Sequence, residues 1–167
     1  MQRDTRDLSG AGVLLQSLDE AFDHKSWHGT NLRGSIRGLT ADQAAWRPAP
    51  ARHNIWETVV HAAYWKYTVR RRLLGEKRGS FQLKGSDWFV RPEGPVSEAA
   101  WRSDVALLVA EHQALRAAVE AWESGRDAGV LTPDEARHLL IGIAFHDIYH
   151  AGQIQLLKRL QQQSGAA

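Results

Sequence analysis

The stretch "HDIYHAGQI", residues 146–154, sets two histidines, His146 and His150, one helical turn apart inside an apolar segment. At 100° per residue, Leu139, Ile143, His146, His150, Ile154 and Leu157 fall on a single stripe, so the pair faces a core rather than solvent. Residues at i and i+4 on a helix have Cβ atoms ~5–6 Å apart, close enough for both rings to reach one ion. Two imidazoles buried together must each find a donor and an acceptor, because an unmet buried polar group costs about 1–3 kcal/mol. Ordinary hydrogen bonds within the core are one way to meet that demand. A bound cation, which takes up both ring acceptors at once, is the other.

Two ligands hold a metal weakly, so a third is required. The segment "HNIWETVVHAAYW" places His53, Glu57 and His61 at i, i+4 and i+8, on one face of a helix. His61 lies deepest, beside Tyr64, Trp65 and Thr68, although it sits off the main apolar stripe of Trp56, Val60, Ala63 and Tyr67. Glu57 reads either as a ligand or as an acceptor that orients an imidazole. His53, at the helix start, reads as exposed. His24, His28, His112 and His138 are weaker candidates, the last two expected to be solvated. "HDIYH" is not the metalloprotease H-E-x-x-H, which needs a glutamate as general base at its second position. Asp147 is one methylene shorter, and no His, Glu or Asp comes after His150 to complete such a site.

The elements that must position these side chains are helical, and no segment shows convincing strand alternation. A first helix is expected from about Asp7 to His24, with Leu8, Val13, Leu15, Leu18 and Phe22 as its apolar positions, and a short helical piece over Asn31–Leu39. Thr40 signals an N-cap, and Pro48 and Pro50 interrupt the chain before the next long helix. That second long helix opens after Asn54, with Glu57 placed for a capping box, and runs to Leu74 before Gly75. Residues 75–96 are loop, and a loop that long in a compact domain is usually functional or mobile. The third long helix starts at Ser97 and lasts to Trp122; the fourth has Thr132 as N-cap and Pro133 at its first position, and continues to about Gln162. Four such helices predict an all-α fold, an antiparallel four-helix bundle, in which metal or cofactor sites are built from facing helices.

Composition sets the remaining limits. At 167 residues the chain suits one domain, 1–167, able to bury roughly 70% of its unfolded surface. It has no cysteine, which excludes disulfides, zinc–thiolate sites and a thiol nucleophile of its own. The charged N-terminus has no apolar h-region and no run approaches 18 apolar residues, so neither a secretory signal nor a membrane span is expected, and a cytoplasmic location is. A net charge of +2 is too slight to imply nucleic acid. The run "KYTVRRRLLGEKRG", with Lys66, Arg70, Arg71, Arg72, Lys77 and Arg78, reads as a solvated helix end whose cations favour the helix dipole. On the fourth helix Ile141, Phe145, Ile148 and Gly152 form a second apolar stripe, opposite the histidines, for which a homodimer is the expected cover.

The ordered set "WHGTNL", "AAWRPAP", "NIWETVVHAAYW", "SDWF" and "HDIYHAGQIQLL" resembles the DinB/YfiT-like superfamily over essentially the whole chain. That resemblance implies a four-helix bundle, often dimeric, with a metal held by one histidine from the second helix and an H-x-x-x-H pair from the fourth. Carried onto this sequence, the ligands are His61, His146 and His150. Characterised members of the superfamily include thiol-dependent enzymes, among them mycothiol-dependent maleylpyruvate isomerase and bacillithiol transferases, while many members have no known activity. The expected function is therefore that of a metalloenzyme, a thiol-dependent transferase, isomerase or hydrolase acting on a small molecule. A non-catalytic metal-binding stress or sensor bundle is the alternative. Without a cysteine, thiol chemistry would need a soluble low-molecular-weight thiol, with the loop from Lys84 to Glu93, Arg47 and Tyr64 as candidate walls of its pocket. The divalent ion is expected to be zinc or nickel, or else iron, all metals that imidazole-rich sites accept.

Overall fold

A computed structural model describes residues 10–126 and 130–165. Among them there are six helices and no strand. The four long ones are α1 (Gly10–Phe22), α4 (Ile55–Leu74), α5 (Glu98–Glu123) and α6 (Pro133–Gln163); α2 (Leu32–Ser35) and α3 (Ala41–Ala45) are single turns in the connection between α1 and α4. Residues 7–9, where the sequence pattern starts the first helix, lie outside the described part, Leu8 with them.

Local chemistry explains the boundaries. Asn54 caps α4 by accepting from the Glu57 N–H, while Glu57 reaches back to the Asn54 N–H, and Gly75 ends the helix in a left-handed conformation at φ 71°. Thr132 and Glu135 form the same reciprocal pair at α6, with Pro133 as the first helical residue. Ser97 caps α5. The piece expected over Asn31–Leu39 shortens to one turn, and Thr40 with Gln43 starts a second turn of its own, α3. Each of the long helices packs on two others: α1 on α5 and α6, and α4 on α5 and α6. Among the described residues no helix is long and apolar enough to cross a membrane.

Two apolar clusters fill the interior. One gathers Trp56, Val59, Val60 and Ala63 of α4 with Trp101 and Leu108 of α5 and Ile154 of α6; the other joins Leu18 of α1, Leu73 of α4, Leu115 of α5 and Ile143 of α6. Polar groups also reach the interior. The Phe22 ring of α1 stacks on His112 of α5, with centroids 3.7 Å apart, and has the Lys66 ammonium of α4 4.8 Å from its centroid. Lys66 in turn is ion-paired with Asp147 of α6, and both side chains are fully buried. Side chains of all four long helices therefore meet around one phenyl ring.

Two expectations change here. His112 is buried rather than solvated, and Lys66 belongs to the core rather than to a solvated basic run. Both sit where a helix that looks amphipathic in isolation is covered on a second side by a neighbour. Burial, then the nearby positive charges of Lys66 and Arg116, pushes the His112 pKa down to about 2. The unfolded chain therefore binds this proton first, near pH 6.5, and the neutral form's contribution to stability is lost as pH falls below that value. Replacing His112 by Phe should remove that loss. In urea titrations of metal-free protein, the stability of His112→Phe relative to wild type is expected to rise by ~2 kcal/mol between pH 6.5 and pH 5. An unchanged difference would mean that His112 takes up its proton at the same pH in the folded and the unfolded chain.

Candidate metal centre

His61 sits in the second turn of α4, with the α4 N-terminus anchored by its capping box. Its off-stripe position is nevertheless buried, because the chain between α4 and α5 folds back over this side of the helix. Asp87 of that segment accepts from the His61 Nδ1–H through its backbone carbonyl at 3.0 Å, and its carboxylate stands 3.2 Å from the same nitrogen. The Trp65 indole N–H donates to that carboxylate at 2.9 Å. Trp88 lies flat on the His61 ring, centroids 3.9 Å apart, and its other face stacks on His53 at 3.7 Å.

From α6, His146 and His150 bring their Nε2 atoms to the same place. His146 Nε2 is 3.1 Å from His61 Nε2 and 3.1 Å from His150 Nε2. His150 Nδ1–H donates to Gln153 Oε1 at 2.7 Å, and the Gln153 amide donates onward to the Tyr149 hydroxyl at 2.9 Å. His146 Nδ1 is buried without a partner.

These bonds decide the tautomers. A backbone carbonyl can only accept, so His61 carries its proton on Nδ1 and presents a bare lone pair at Nε2. The Gln153 oxygen does the same for His150. Two lone pairs thus converge on His146 Nε2, and a single proton there satisfies only one of them. A cation satisfies all three nitrogens. Donors on a four-coordinate zinc, with Zn–N near 2.0–2.1 Å, stand about 3.3 Å apart, close to the spacing found here. Asp87 and Gln153 are the groups that orient ligand imidazoles from behind.

The electrostatics favour the neutral, ligating form. Burial, then the neighbouring imidazoles His150 and His61, pushes His146 down to about 3; burial, then His61, pushes His150 down to about 4. Burial also holds His61 below its ordinary value, with Asp87 opposing. All three offer unprotonated nitrogens at neutral pH, as metal ligation requires.

The structure thus brings His61, His146 and His150 together and leaves the other candidates out. His24, His28, His53 and His138 are exposed. Glu57 is buried, but it faces away from the triad: it pairs with Arg47, which donates to Oε2 at 2.8 Å, with His53 at 3.1 Å, and with the Arg91 N–H at 3.3 Å. Arg47 is therefore committed to Glu57 instead of to a pocket wall. Sequence reasoning assigns no role to Gln153, and reaches Asp87 and Trp88 only as part of the "SDWF" motif and of a loop expected to wall a pocket, not as partners of His61. Gln153 is within its reach, being three residues beyond His150 on the same helix, whereas Asp87 and Trp88 arrive from a loop whose path no periodicity reveals.

Two cavities flank the triad. One of about 160 Å³ has His146 in its wall with Trp65, Thr68 and Ile143; another of about 540 Å³ is bounded by His53, Trp88 and Gln153 over Leu156 and Leu157. The comparison with known families then places this all-helical chain. The model of the DinB superfamily matches residues 25–154, most of the chain, and the protein belongs to that family. No curated protein and no solved structure matches it.

Behind His146, the Lys66–Asp147 pair ties α4 to α6 in the interior. Burial pushes the Asp147 carboxyl up to about 6 against the pull of Lys66, and burial lowers Lys66 against the pull of Asp147. Breaking such a pair leaves one buried charge uncompensated, at about 3–5 kcal/mol, whereas replacing both partners by apolar groups is often nearly neutral. Lys66→Met alone should therefore destabilise the fold by about 3–5 kcal/mol, and Lys66→Met with Asp147→Leu should recover most of it. Chemical denaturation of the two variants checks this. Additive losses would mean that the two side chains do not interact.

Proposed function

We propose that this protein is a metal-dependent enzyme in which His61, His146 and His150 hold one divalent ion, zinc or nickel in the first instance and iron otherwise. The observation that carries the reading is the convergence of three Nε2 atoms, two of them forced to be bare lone pairs by the acceptors behind their rings. The surrounding architecture is read as one domain, an antiparallel four-helix bundle, with α4 and α6 as the facing helices that supply the ligands.

A divalent ion in three neutral imidazoles keeps its full charge and an open position, and so lowers the pKa of a bound water or thiol toward neutrality. The chain's own residues do the rest. Asp87 and Gln153 fix the ring orientations, and Trp88 shields one face of His61 from water. The two flanking cavities give small molecules an approach on the His146 side and on the Trp88–Gln153 side. Because the chain has no cysteine, a thiol reaction draws its sulfur from a soluble low-molecular-weight thiol. The reaction class we propose, transfer, isomerisation or hydrolysis of a small molecule with the help of that thiol, rests on the thiol-dependent enzymes of the superfamily.

Metal analysis of unchelated protein should give about one ion per chain, and His146→Ala should lose it together with the metal-dependent rise in melting temperature. Cobalt-substituted protein should change its visible spectrum when a small thiol is added. Full occupancy in His146→Ala would remove the assignment. An unchanged cobalt spectrum would replace the enzyme by the non-catalytic metal-binding bundle.

The same helix offers a reason for self-association. Of the stripe expected over Ile141, Phe145, Ile148 and Gly152, Ile148 is half-buried. The exposed apolar side of α6 runs instead through Ile141, Phe145, Tyr149 and Leu156, which are 42%, 65%, 63% and 58% exposed. A Cβ at Gly152 would meet no atom of another element within 4 Å, so a partner backbone has room to approach there. A single chain rarely leaves so long an apolar stripe open, and a symmetric dimer buries it against its own copy. Light scattering should give about twice the 18.7 kDa chain mass, and Phe145→Glu should shift it to the monomer value. A wild-type monomer at high protein concentration would show that the stripe serves something else.

A further inference from the structure

We propose that the cavity between α4 and the chain leading on from it is a second binding site, for a small organic anion whose charged group is carried on a planar ring. The site is separate from the histidines. It encloses about 340 Å³, at the small end of the range for ligand pockets, and its walls combine Tyr64, Tyr67 and Phe81 with Arg71, Arg78 and Lys84. No acidic residue lines it.

The charges are what set this cavity apart. Several arginines elsewhere in the protein are paired with carboxylates: Arg47 with Glu57, Arg70 with Glu76 and Glu111, Arg91 with Asp104, and Arg116 with Asp19. Around this cavity the pattern stops. Arg71 donates one guanidinium N–H to the Glu76 carbonyl at 3.1 Å, while its Nε is buried with no partner. Arg78 and Lys84 make no ion pair among the described residues. The electrostatics of a helix C-terminus accounts for cations on the last turn of α4. It does not account for Arg78 and Lys84, which come from the loop and join Arg71 at the same opening. Three cations gathered without a counter-charge repel one another, and an anion seated among them relieves that repulsion.

The remaining walls specify what carries the charge. Phe81 stands 5.3 Å from both Tyr64 and Tyr67, centroid to centroid, edge-on to the first and tilted to the second. The Gly79 N–H donates to the Tyr67 hydroxyl at 3.1 Å, which holds that ring in place. Aromatic walls of this kind favour a flat ligand in offset or edge-to-face contact, and guanidinium groups favour phosphate or carboxylate. Of the basic run, Arg71 and Arg78 thus find their use here, while Lys66 and Arg70 are internally paired and Arg72 lines the cavity beside His146.

The test uses the full chain and calorimetric titration with phenyl phosphate, benzoate and inorganic phosphate. Phenyl phosphate or benzoate should bind in the micromolar to millimolar range, at least tenfold more tightly than inorganic phosphate, and binding should survive removal of metal by a chelator. Arg78→Ala with Lys84→Ala should weaken it by roughly tenfold or more. Because both of those side chains are exposed, the melting temperature should not move. Phe81→Leu should reduce the preference for the ring-bearing anions while leaving inorganic phosphate unaffected. Equal affinity in the Arg78/Lys84 variant, or loss of binding on chelation, would overturn the proposal. So would inorganic phosphate binding as tightly as phenyl phosphate. Tighter, salt-sensitive binding of a single-stranded oligonucleotide, lost in the same double variant, would assign the cationic groups to nucleic acid instead and overturn the small-ligand reading.

Discussion

The buried ion pair between Lys66 and Asp147 is the constraint on which the rest of the site depends. A charge removed from water needs a counter-charge at a defined place, so the pair permits only one register between α4 and α6. His61 lies five residues before Lys66, and His146 immediately precedes Asp147. Fixing the pair therefore fixes the distance between the two helices where the imidazoles meet. Leucines in the same two positions would bury as well, yet they would tolerate a sliding contact, since hydrophobic association is non-directional. The same charge is also felt at His146, whose proton affinity Lys66 helps to lower.

The segment from Gly75 to Val96 is the second half of the construction, and it is tied down at several places along its length. Tyr67 accepts from Gly79 near its start, Asp87 accepts from His61 and Trp65 in its middle, and Arg91 is held at its end. The Arg91 carbonyl accepts from the Asn54 side chain at 2.8 Å, its N–H donates to Glu57, and its guanidinium pairs with Asp104, which also accepts from the Trp56 indole at 2.6 Å. The capping box of α4 thus has two tasks. It starts the helix that carries His61, and it anchors the loop that orients and shields the same ring. This explains why Glu57 is saturated with partners on the side away from the triad and gives nothing to the imidazoles.

Much of this is legible from residue order, for a physical reason in each case. Helix starts at Asn54, Ser97 and Thr132 are readable because capping is local chemistry, settled within four residues. The inward face of His146 and His150 is readable because helical periodicity carries it. His61 is harder: it lies off the apolar stripe of its own helix, and only the covering loop makes that side interior. Lys66 and His112 are misread for the same reason from the opposite direction. Their burial is a property of neighbouring helices, which bring Asp147 to one and Phe22 to the other across more than 80 residues of chain. No window along a single helix contains that information.

Polarity inside this protein is organised by how each group is neutralised. Lys66 and Asp147 cancel one another completely, so the interior behind His146 carries no net charge. Glu57 is cancelled by Arg47, and Arg91 by Asp104. The three imidazoles are neutral because burial keeps protons off them. The Asp87 carboxylate sits behind the His61 ring and not at the convergence point. A cation held at the three Nε2 atoms would therefore meet lone pairs but, among the described residues, no anionic ligand. Its charge would then remain available to whatever enters from the flanking cavities, an anion gaining the most. That availability would follow from three neutral histidines, with Glu57 and Asp147 paired with cations and Asp87 held behind the His61 ring.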